Sequence, residues 1–234
     1  MKYALVTGGT RGIGAGVARS LARGGYRVVA TGVSEEEVGT FAVCEGVTAQ
    51  RLDVTSQQQV DALIASFKRL DAVVNCAGII QRGGSEFEPG KFAQTLEVNL
   101  TGTLRICQAA KAKLADSGGG IVNTASMLSY FGSAAVPGYA ASKGGVAQLT
   151  KSLAAAWALE GIRVNAVAPG WIATELTRPL MESDERSGAI LARTPMGRWG
   201  EPDEIGDVVL FLLSEQARFV TGAILPVDGG YSSV

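Results

Sequence analysis

The chain has no histidine, three cysteines, 6% aromatic residues and no long apolar run in its 234 residues. Each shortage removes a class of function. Without histidine there is no Ser-His-Asp or Cys-His nucleophilic set, no imidazole acid/base, and none of the histidine ligands that most catalytic zinc and non-haem iron sites use. Proton transfer falls to Tyr, Lys, Asp, Glu or water. Cys44, Cys76 and Cys107 are odd in number and lack CxxC or ligand spacing, so buried free thiols are expected, and no metal site is assigned. Gly, Ser, Arg or Asp interrupts every apolar stretch before the roughly 18 residues a membrane span needs, and the N-terminus does not have a signal-peptide layout. A soluble, cytoplasmic protein is expected. The net charge of −1 carries no basic face and no like-charge block, which argues against nucleic acid as a partner.

What is present points to a layered core. With 47% hydrophobic residues, the chain can bury a large interior within one domain spanning 1–234. Short β-branched runs at 3–7, 27–31, 47–52, 72–75, 121–124, 163–167 and 223–227 alternate with longer amphipathic stretches. The pattern predicts an α/β fold, a single doubly wound (Rossmann) parallel sheet of about seven strands with helices on both faces.

Glycine, at 31 residues, is concentrated where strands turn into helices. In the first such turn, Thr7-Gly8-Gly9-Thr10-Arg11-Gly12-Ile13-Gly14, the glycines at 8, 12 and 14 permit a tight bend and close approach of backbone to a pyrophosphate. A helix beginning near Gly12 would present unpaired N–H groups and a partial positive charge to that anion. Tight strand-to-helix packing explains such a turn without a ligand, but its place after the first strand favours a dinucleotide. No Gly-Lys-Ser/Thr follows, which excludes a P-loop. Asn75-Cys76-Ala77-Gly78 and Pro169-Gly170 fall at further carboxyl strand ends, where open parallel sheets bind ligands.

Tyr139 and Lys143 stand four residues apart on a helix expected to run through Trp157, which sets phenol and ammonium on one face. Ser126 follows the strand at 121–124. A serine hydroxyl can hold a substrate oxygen while a tyrosine exchanges its proton, and a nearby ammonium lowers a phenol pKa from its usual value of about 10. Singly, these are a turn serine, an amphipathic tyrosine and a solvated lysine. With the glycine turn, they read as a nicotinamide-dependent oxidoreductase.

Thr7-Gly8-x-x-x-Gly12-Ile13-Gly14, Asn75-Cys76-Ala77-Gly78, Asn99, Ser126, Tyr139-x-x-x-Lys143 and Pro169-Gly170-x-x-x-Thr174 together resemble the short-chain dehydrogenase/reductase family, in order and over essentially the whole chain. The resemblance implies Tyr139 as general acid/base, Ser126 as the group orienting the carbonyl or alcohol, and Lys143 as a ribose contact that also lowers the Tyr139 pKa. Asn99 would help hold a water that relays protons from Lys143. The cofactor, NAD(P)(H), would touch Gly8, Thr10, Arg11, Gly12, Ile13 and Gly14 at the first turn, Ser34 after the second strand, and Asp53 and Val54 at the adenine. Asn75, Ala77 and Gly78 would line the adenosine side, while Pro169, Gly170, Ile172 and Thr174 close on the nicotinamide beside Tyr139 and Lys143. Cys76 departs from the family, which commonly has a second asparagine there, and a small local effect is expected. A homotetramer is also implied.

Within the family, Ala77-Gly78-Ile79-Ile80-Gln81-Arg82, Ala125-Ser126-Met127-Leu128-Ser129, Val136-Pro137-Gly138-Tyr139 and Pro195-Met196-Gly197-Arg198-Trp199-Gly200 are similar to dehydrogenases of 2-dehydro-3-deoxygluconate, 2-deoxygluconate or gluconate. Arg82 and Arg198 are candidate contacts for a substrate carboxylate, Gln81 for hydroxyls, and Met127 for the pocket wall. The segment at about 174–199 is a candidate lid. Solvated loop arginines are the ordinary alternative. A 3-oxoacyl-thioester reductase would share the Ser-Tyr-Lys set, and a non-catalytic dinucleotide-binding module would need only the glycine turn. NAD and NADP are both open: the second strand ends without an acid in Thr31-Gly32-Val33-Ser34, Arg11 is available to a 2′-phosphate, and Ser34 with Glu37 has the spacing of a helix-starting capping box.

Overall fold

The computed structural model describes residues 1–42 and 44–234. Strands β1 (Lys2–Thr7), β2 (Tyr26–Gly32), β3 (Val47–Arg51), β4 (Ala72–Asn75), β5 (Gly120–Thr124), β6 (Arg163–Pro169) and β7 (Ile224–Val227) form one sheet. Its order is β3-β2-β1-β4-β5-β6-β7, and every neighbouring pair is parallel. The chain winds outward from β1 to β3 and then restarts on the other side at β4. That reversal opens a crevice at the carboxyl ends of β1 and β4.

Successive side chains of a strand point to opposite faces, so β1 serves two cores. Leu5 packs with Leu63 and Ile64 of α3 (Gln57–Ser66), Ile106 and Leu114 of α5 (Gly102–Ser117) and Leu153 of α6 (Pro137–Trp157). Ala4 and Val6 pack on the other side with Val17 and Leu21 of α1 (Gly12–Arg23) and Val209 and Leu212 of α9 (Pro202–Leu213). The doubly wound α/β arrangement expected from the alternating pattern is thus observed. β6 runs two residues beyond the expected end, to Pro169, and β7 begins one residue later, at Ile224.

The helical layers hold one feature that periodicity did not foretell. Between α4 (Pro89–Leu96) and α5 the backbone widens into a π-helical turn, Glu97–Thr101, with Asn99 fully buried in it. Such turns often mark functional sites because the inserted residue re-aims its side chain. After β6, the short helices α7 (Arg178–Met181) and α8 (Asp184–Arg193) contain no buried residue. An isolated bridge from Ile172 to Gly200 closes the base of this excursion. α2 (Glu35–Gly39) follows β2. Among the described residues, no helix is long and apolar enough to cross a membrane, and no group of His, Cys, Asp or Glu is arranged to hold a metal.

Candidate active site

The first turn has an anion-binding shape. Gly8 and Gly12 adopt φ of 62° and 51°, left-handed values that favour glycine. A Cβ on Gly14 would collide with the Gly8 carbonyl, which ties the helix directly to the turn. No side chain caps the N-terminus of α1 and no acid lies in its first turn, so its N–H groups remain open to a pyrophosphate. Two buried oxygens on the crevice side, Thr10 Oγ1 and Asn75 Oδ1, have no hydrogen-bond partner among the described residues. Such orphans are costly unless a ligand or water satisfies them. These features fit a dinucleotide.

The expected cofactor residues converge on this crevice from four loops. Gly8, Thr10, Arg11, Gly12, Ile13 and Gly14 follow β1; Ser34 caps α2; Asp53 and Val54 follow β3; and Ala77 and Gly78 follow β4. The Ala77 N–H donates to Thr7 Oγ1 at 3.3 Å, joining the β1 and β4 ends. The stretch from Pro169 and Gly170 through Ile172 brings Thr174 over the turn, since a Cβ on Gly12 would lie 3.5 Å from Thr174 Cγ2. Asp53 Oδ1 accepts from Thr55 N and Oγ1 at 2.9 and 2.7 Å. The Asn75 amide nitrogen donates to Asn123 Oδ1 at 2.9 Å and Cys107 Sγ at 3.3 Å, bracing β4 against β5, and leaves its Oδ1 unpartnered among the described residues. Glu37 differs from the expectation. Ser34 Oγ does accept the Glu37 N–H at 3.2 Å, as a helix start requires, but the Glu37 carboxylate turns to the Val33 N–H and to Arg11.

Asn99, Ser126, Tyr139 and Lys143 meet beside this crevice. Asn99 Oδ1 accepts the Ile79 N–H at 2.8 Å, and its Nδ2 donates to Ile79 O at 2.9 Å and Ser142 Oγ at 3.0 Å. The π-helical turn therefore clamps the loop after β4 to α6. Ser126 caps the single turn Met127–Ser129, whose Ser129 hydroxyl donates to Lys143 O at 2.7 Å and accepts the Ser126 N–H at 3.2 Å. Lys143 Nζ donates to Thr124 O at 2.6 Å and stands 5.5 Å from the Tyr139 ring centroid.

Burial dominates the electrostatics. Desolvation pushes the Tyr139 phenol above its ordinary value, the Ser126 hydroxyl and the Arg82 charge pull it down, and Glu86 pushes it up. Desolvation lowers the Lys143 ammonium to about 8. Arg82 is the cation that lowers the phenol here, while Lys143, expected to do so, stands 5.5 Å from the Tyr139 ring centroid. Cys76, with its thiol raised to about 11 by burial, accepts a hydrogen bond from Thr124 Oγ1 at 3.3 Å.

The two candidate carboxylate contacts separate. Arg82 reaches the surface excursion through Leu176 O at 3.4 Å and bears on Tyr139. Arg198 is committed to Glu204, with bonds of 2.8 and 2.6 Å that pull the Glu204 carboxyl down to about 2. That exposed pair engages Arg198 in this structure, so a substrate carboxylate there would have to compete with Glu204. The Gln81 amide nitrogen is directed at Lys91 O, Gln94 Oε1 and Thr95 Oγ1, at 3.1, 3.3 and 3.3 Å. Met127 is buried. The structure adds Glu86, Ser129 and Ser142, none of which carried a sequence signal beyond being small or charged residues near a motif.

Comparison with known proteins agrees with this geometry. A family model described as enoyl-(acyl carrier protein) reductase matches residues 8–232. A 2-dehydro-3-deoxy-D-gluconate 5-dehydrogenase of Bacillus subtilis is 41% identical over 241 residues, covering 99% of this chain and 95% of that protein. A 3-oxoacyl-[acyl-carrier-protein] reductase of Vibrio cholerae is 37% identical over 98% of this chain and 96% of its own length. A solved structure from Agrobacterium tumefaciens with bound NADP, proposed to be a 2-deoxy-D-gluconate 3-dehydrogenase, superposes with a TM-score of 0.90 at 40% identity, covering 100% of this chain and 97% of that one. The chain belongs to the short-chain dehydrogenase/reductase family and is an NAD(P)-dependent enzyme acting on CH–OH groups.

Proposed function

We propose that the substrate is a sugar acid, oxidised at a secondary alcohol or reduced at the corresponding ketone. One observation carries the reading: the loop of Gln81 and Arg82 is tied to Tyr139 through the Glu86 carboxylate, which accepts both the Gln81 and the Tyr139 N–H at 2.8 Å, so an exposed arginine stands close to the candidate proton-exchanging phenol. NAD(P), when bound in the glycine crevice, accepts or supplies the hydride. In oxidation, the alcohol oxygen would sit between Ser126 and a deprotonated Tyr139, its proton passing to the phenolate while the carbon-bound hydrogen leaves with its electron pair to the nicotinamide; in reduction the neutral phenol would give the proton back. Ser126 orients the oxygen. Lys143 holds a buried positive charge against the dinucleotide side, and Asn99 sets the loop after β4 against α6. Arg82 takes the carboxylate, and the excursion at 174–199, through which Arg82 already contacts Leu176, closes over it.

A 3-oxoacyl-thioester reductase is the second reading, favoured by the Vibrio cholerae relative. It needs an apolar approach. Yet Tyr130 donates its hydroxyl to Ile224 O at 3.0 Å, and Phe131 packs against Tyr231 beneath Arg193. Those aromatics are engaged elsewhere. Purified protein assayed with 2-dehydro-3-deoxy-D-gluconate, D-gluconate and acetoacetyl-CoA, each with both cofactors, separates the readings: far more efficient turnover of the thioester defeats the sugar-acid assignment, and no turnover of anything favours a dinucleotide-binding module.

The assembly we infer is a homotetramer. Leu104 on α5, Phe211 on α9 and Leu225 on the edge strand β7 are exposed apolar residues suited to subunit contacts. Light scattering of the purified chain tests this.

A further inference from the structure

Glu86 lies at 0% exposure in a single turn, Ser85–Phe87, of the loop between β4 and α4. Its two oxygens serve different segments: Oε1 accepts the Gln81 N–H and Oε2 the Tyr139 N–H, both at 2.8 Å. The Thr95 hydroxyl lies 3.5 Å from Oε1, at the limit of a hydrogen bond. The Tyr139 N–H is one of the orphan donors in the first turn of α6. Val136, at the N-cap, has no side-chain acceptor to offer it, and Pro137 occupies the first position. The helix that carries the phenol therefore takes its cap from a carboxylate 53 residues upstream, at the positive end of its dipole. Room is kept for that carboxylate, since a Cβ on Gly138 would stand 3.3 Å from Glu86 Oε2 and from Phe92 Cδ2. On the other side of the same residue, Tyr139 O accepts from Ser142 Oγ at 2.7 Å.

Burying a carboxylate is costly unless its lone pairs are filled, and here the donors that fill them are backbone groups of two functional segments. We propose that Glu86 is a positioning residue for the reaction, locking Tyr139 in register with the loop that carries Gln81 and Arg82. One buried side chain then sets the spacing between the proton-exchanging phenol and the anion contact. The proposal rests on the roles given above to Tyr139 and Arg82. It also has an electrostatic signature. The groups acting on the phenol are the Ser126 hydroxyl and Arg82, which lower its pKa, and Glu86, which raises it, with Lys143 beside the ring. Burial is the largest influence on the phenol and keeps raising it, but replacing Glu86 by a neutral residue removes the one charge that raises it further, so the phenolate forms at lower pH than in the wild type.

Glu86→Gln keeps the shape but leaves one acceptor oxygen for two N–H groups. In the full chain, kcat for oxidation of 2-dehydro-3-deoxy-D-gluconate is expected to fall about 10- to 100-fold, the worth of one hydrogen bond to a charged group. Its pH profile should move to lower pH, while the NADH dissociation constant measured by fluorescence stays unchanged. An unchanged kcat, or a lowered melting temperature with the pH profile unmoved, overturns the proposal. Should the variant fail to fold, hydrogen exchange of wild-type protein labelled with 15N-tyrosine decides: slow exchange at the Tyr139 amide supports the clamp, and exchange as fast as at an uncapped first-turn amide removes it. That measurement needs no turnover, so a wrong substrate class is told apart from a wrong role for Glu86. Tyr139→Phe with wild-type kcat would defeat the parent reading instead.

Discussion

Arg11 Nη2 stands 3.0 Å from Glu37 Oε1, at the end of β2 that lacks an acid of its own. The other oxygen, Oε2, accepts the Val33 N–H at 3.0 Å, and a Cβ on Gly32 would lie 2.7 Å from Thr10 Oγ1 and 3.0 Å from Glu37 Oε2. If the cofactor lies in the crevice as proposed, an acid and a base share the end of β2 where NAD and NADP are told apart in such folds. Arg11 is 63% exposed, and an exposed pair is worth about 1 kcal/mol or less, so either member can change partner at little cost. The wild-type protein is expected to bind both NADH and NADPH. Glu37→Gln removes repulsion of a 2′-phosphate and should tighten NADPH about tenfold, whereas Arg11→Ala should weaken NADPH and spare NADH. Dissociation constants by nicotinamide fluorescence test this, and equal ratios in all three proteins would exclude the pair from cofactor selection.

Tyr139→Phe keeps the aromatic body and deletes the exchangeable proton. Turnover is expected to fall roughly a hundredfold to ten-thousandfold with the NADH dissociation constant unchanged. Lys143→Ala should weaken both turnover and dinucleotide binding, because its buried charge faces the cofactor side. Wild-type rates in Tyr139→Phe would sink the assignment.

The same lysine is a stability liability in the cofactor-free protein. Its pKa falls from 10.5 to about 8 on burial, where it is 5% exposed. The unfolded chain holds that proton more tightly, so at neutral pH the folded state carries a penalty of up to about 3 kcal/mol, relieved as pH rises through the folded value towards the unfolded one. Lys143→Met removes the charge and keeps the bulk. Its melting temperature at pH 7 should exceed that of the wild type, and the difference should shrink between pH 8 and 10.5. A variant that melts at or below the wild type at pH 7 contradicts this account.

Much of this was legible before any coordinates. Strand positions were readable because parallel strands buried on both faces give short β-branched runs, and the residues from Gly8 to Gly14 were readable because a phosphate turn needs glycine itself. Ser126, Tyr139 and Lys143 followed from type and spacing, whereas Asn99 came only from the family resemblance. Pairings across long sequence separations were not legible. Glu86 meets Tyr139 across 53 residues and Arg11 meets Glu37 across a strand, and neither spacing repeats with a helical or strand period. The π-helical turn at Glu97–Thr101 escaped because one inserted residue leaves the apolar pattern on either side intact. Arg82 and Arg198 looked equivalent as loop arginines, and only Glu204, at the start of α9, distinguishes them.

That distinction gives the last prediction. Arg82→Ala should raise the Michaelis constant for an anionic sugar acid about 10- to 100-fold, the worth of a lost charge-assisted contact, and should leave the melting temperature nearly unchanged because the side chain is exposed. Arg198→Ala should do the reverse. The Glu204 carboxyl, held near 2 by Arg198 and by the Glu201 N–H it accepts at 2.7 Å, anchors the start of α9. A carboxyl with a depressed folded pKa contributes stability that is complete above its unfolded value of 4.5 and lost as pH falls towards 2. Glu204 is 43% exposed, so solvent screening limits the pair to about 1 kcal/mol. The melting temperatures of wild type and Arg198→Ala should therefore differ at pH 7 and converge as pH falls through that window. An Arg198→Ala protein with wild-type melting behaviour and a raised Michaelis constant would return Arg198 to the substrate site.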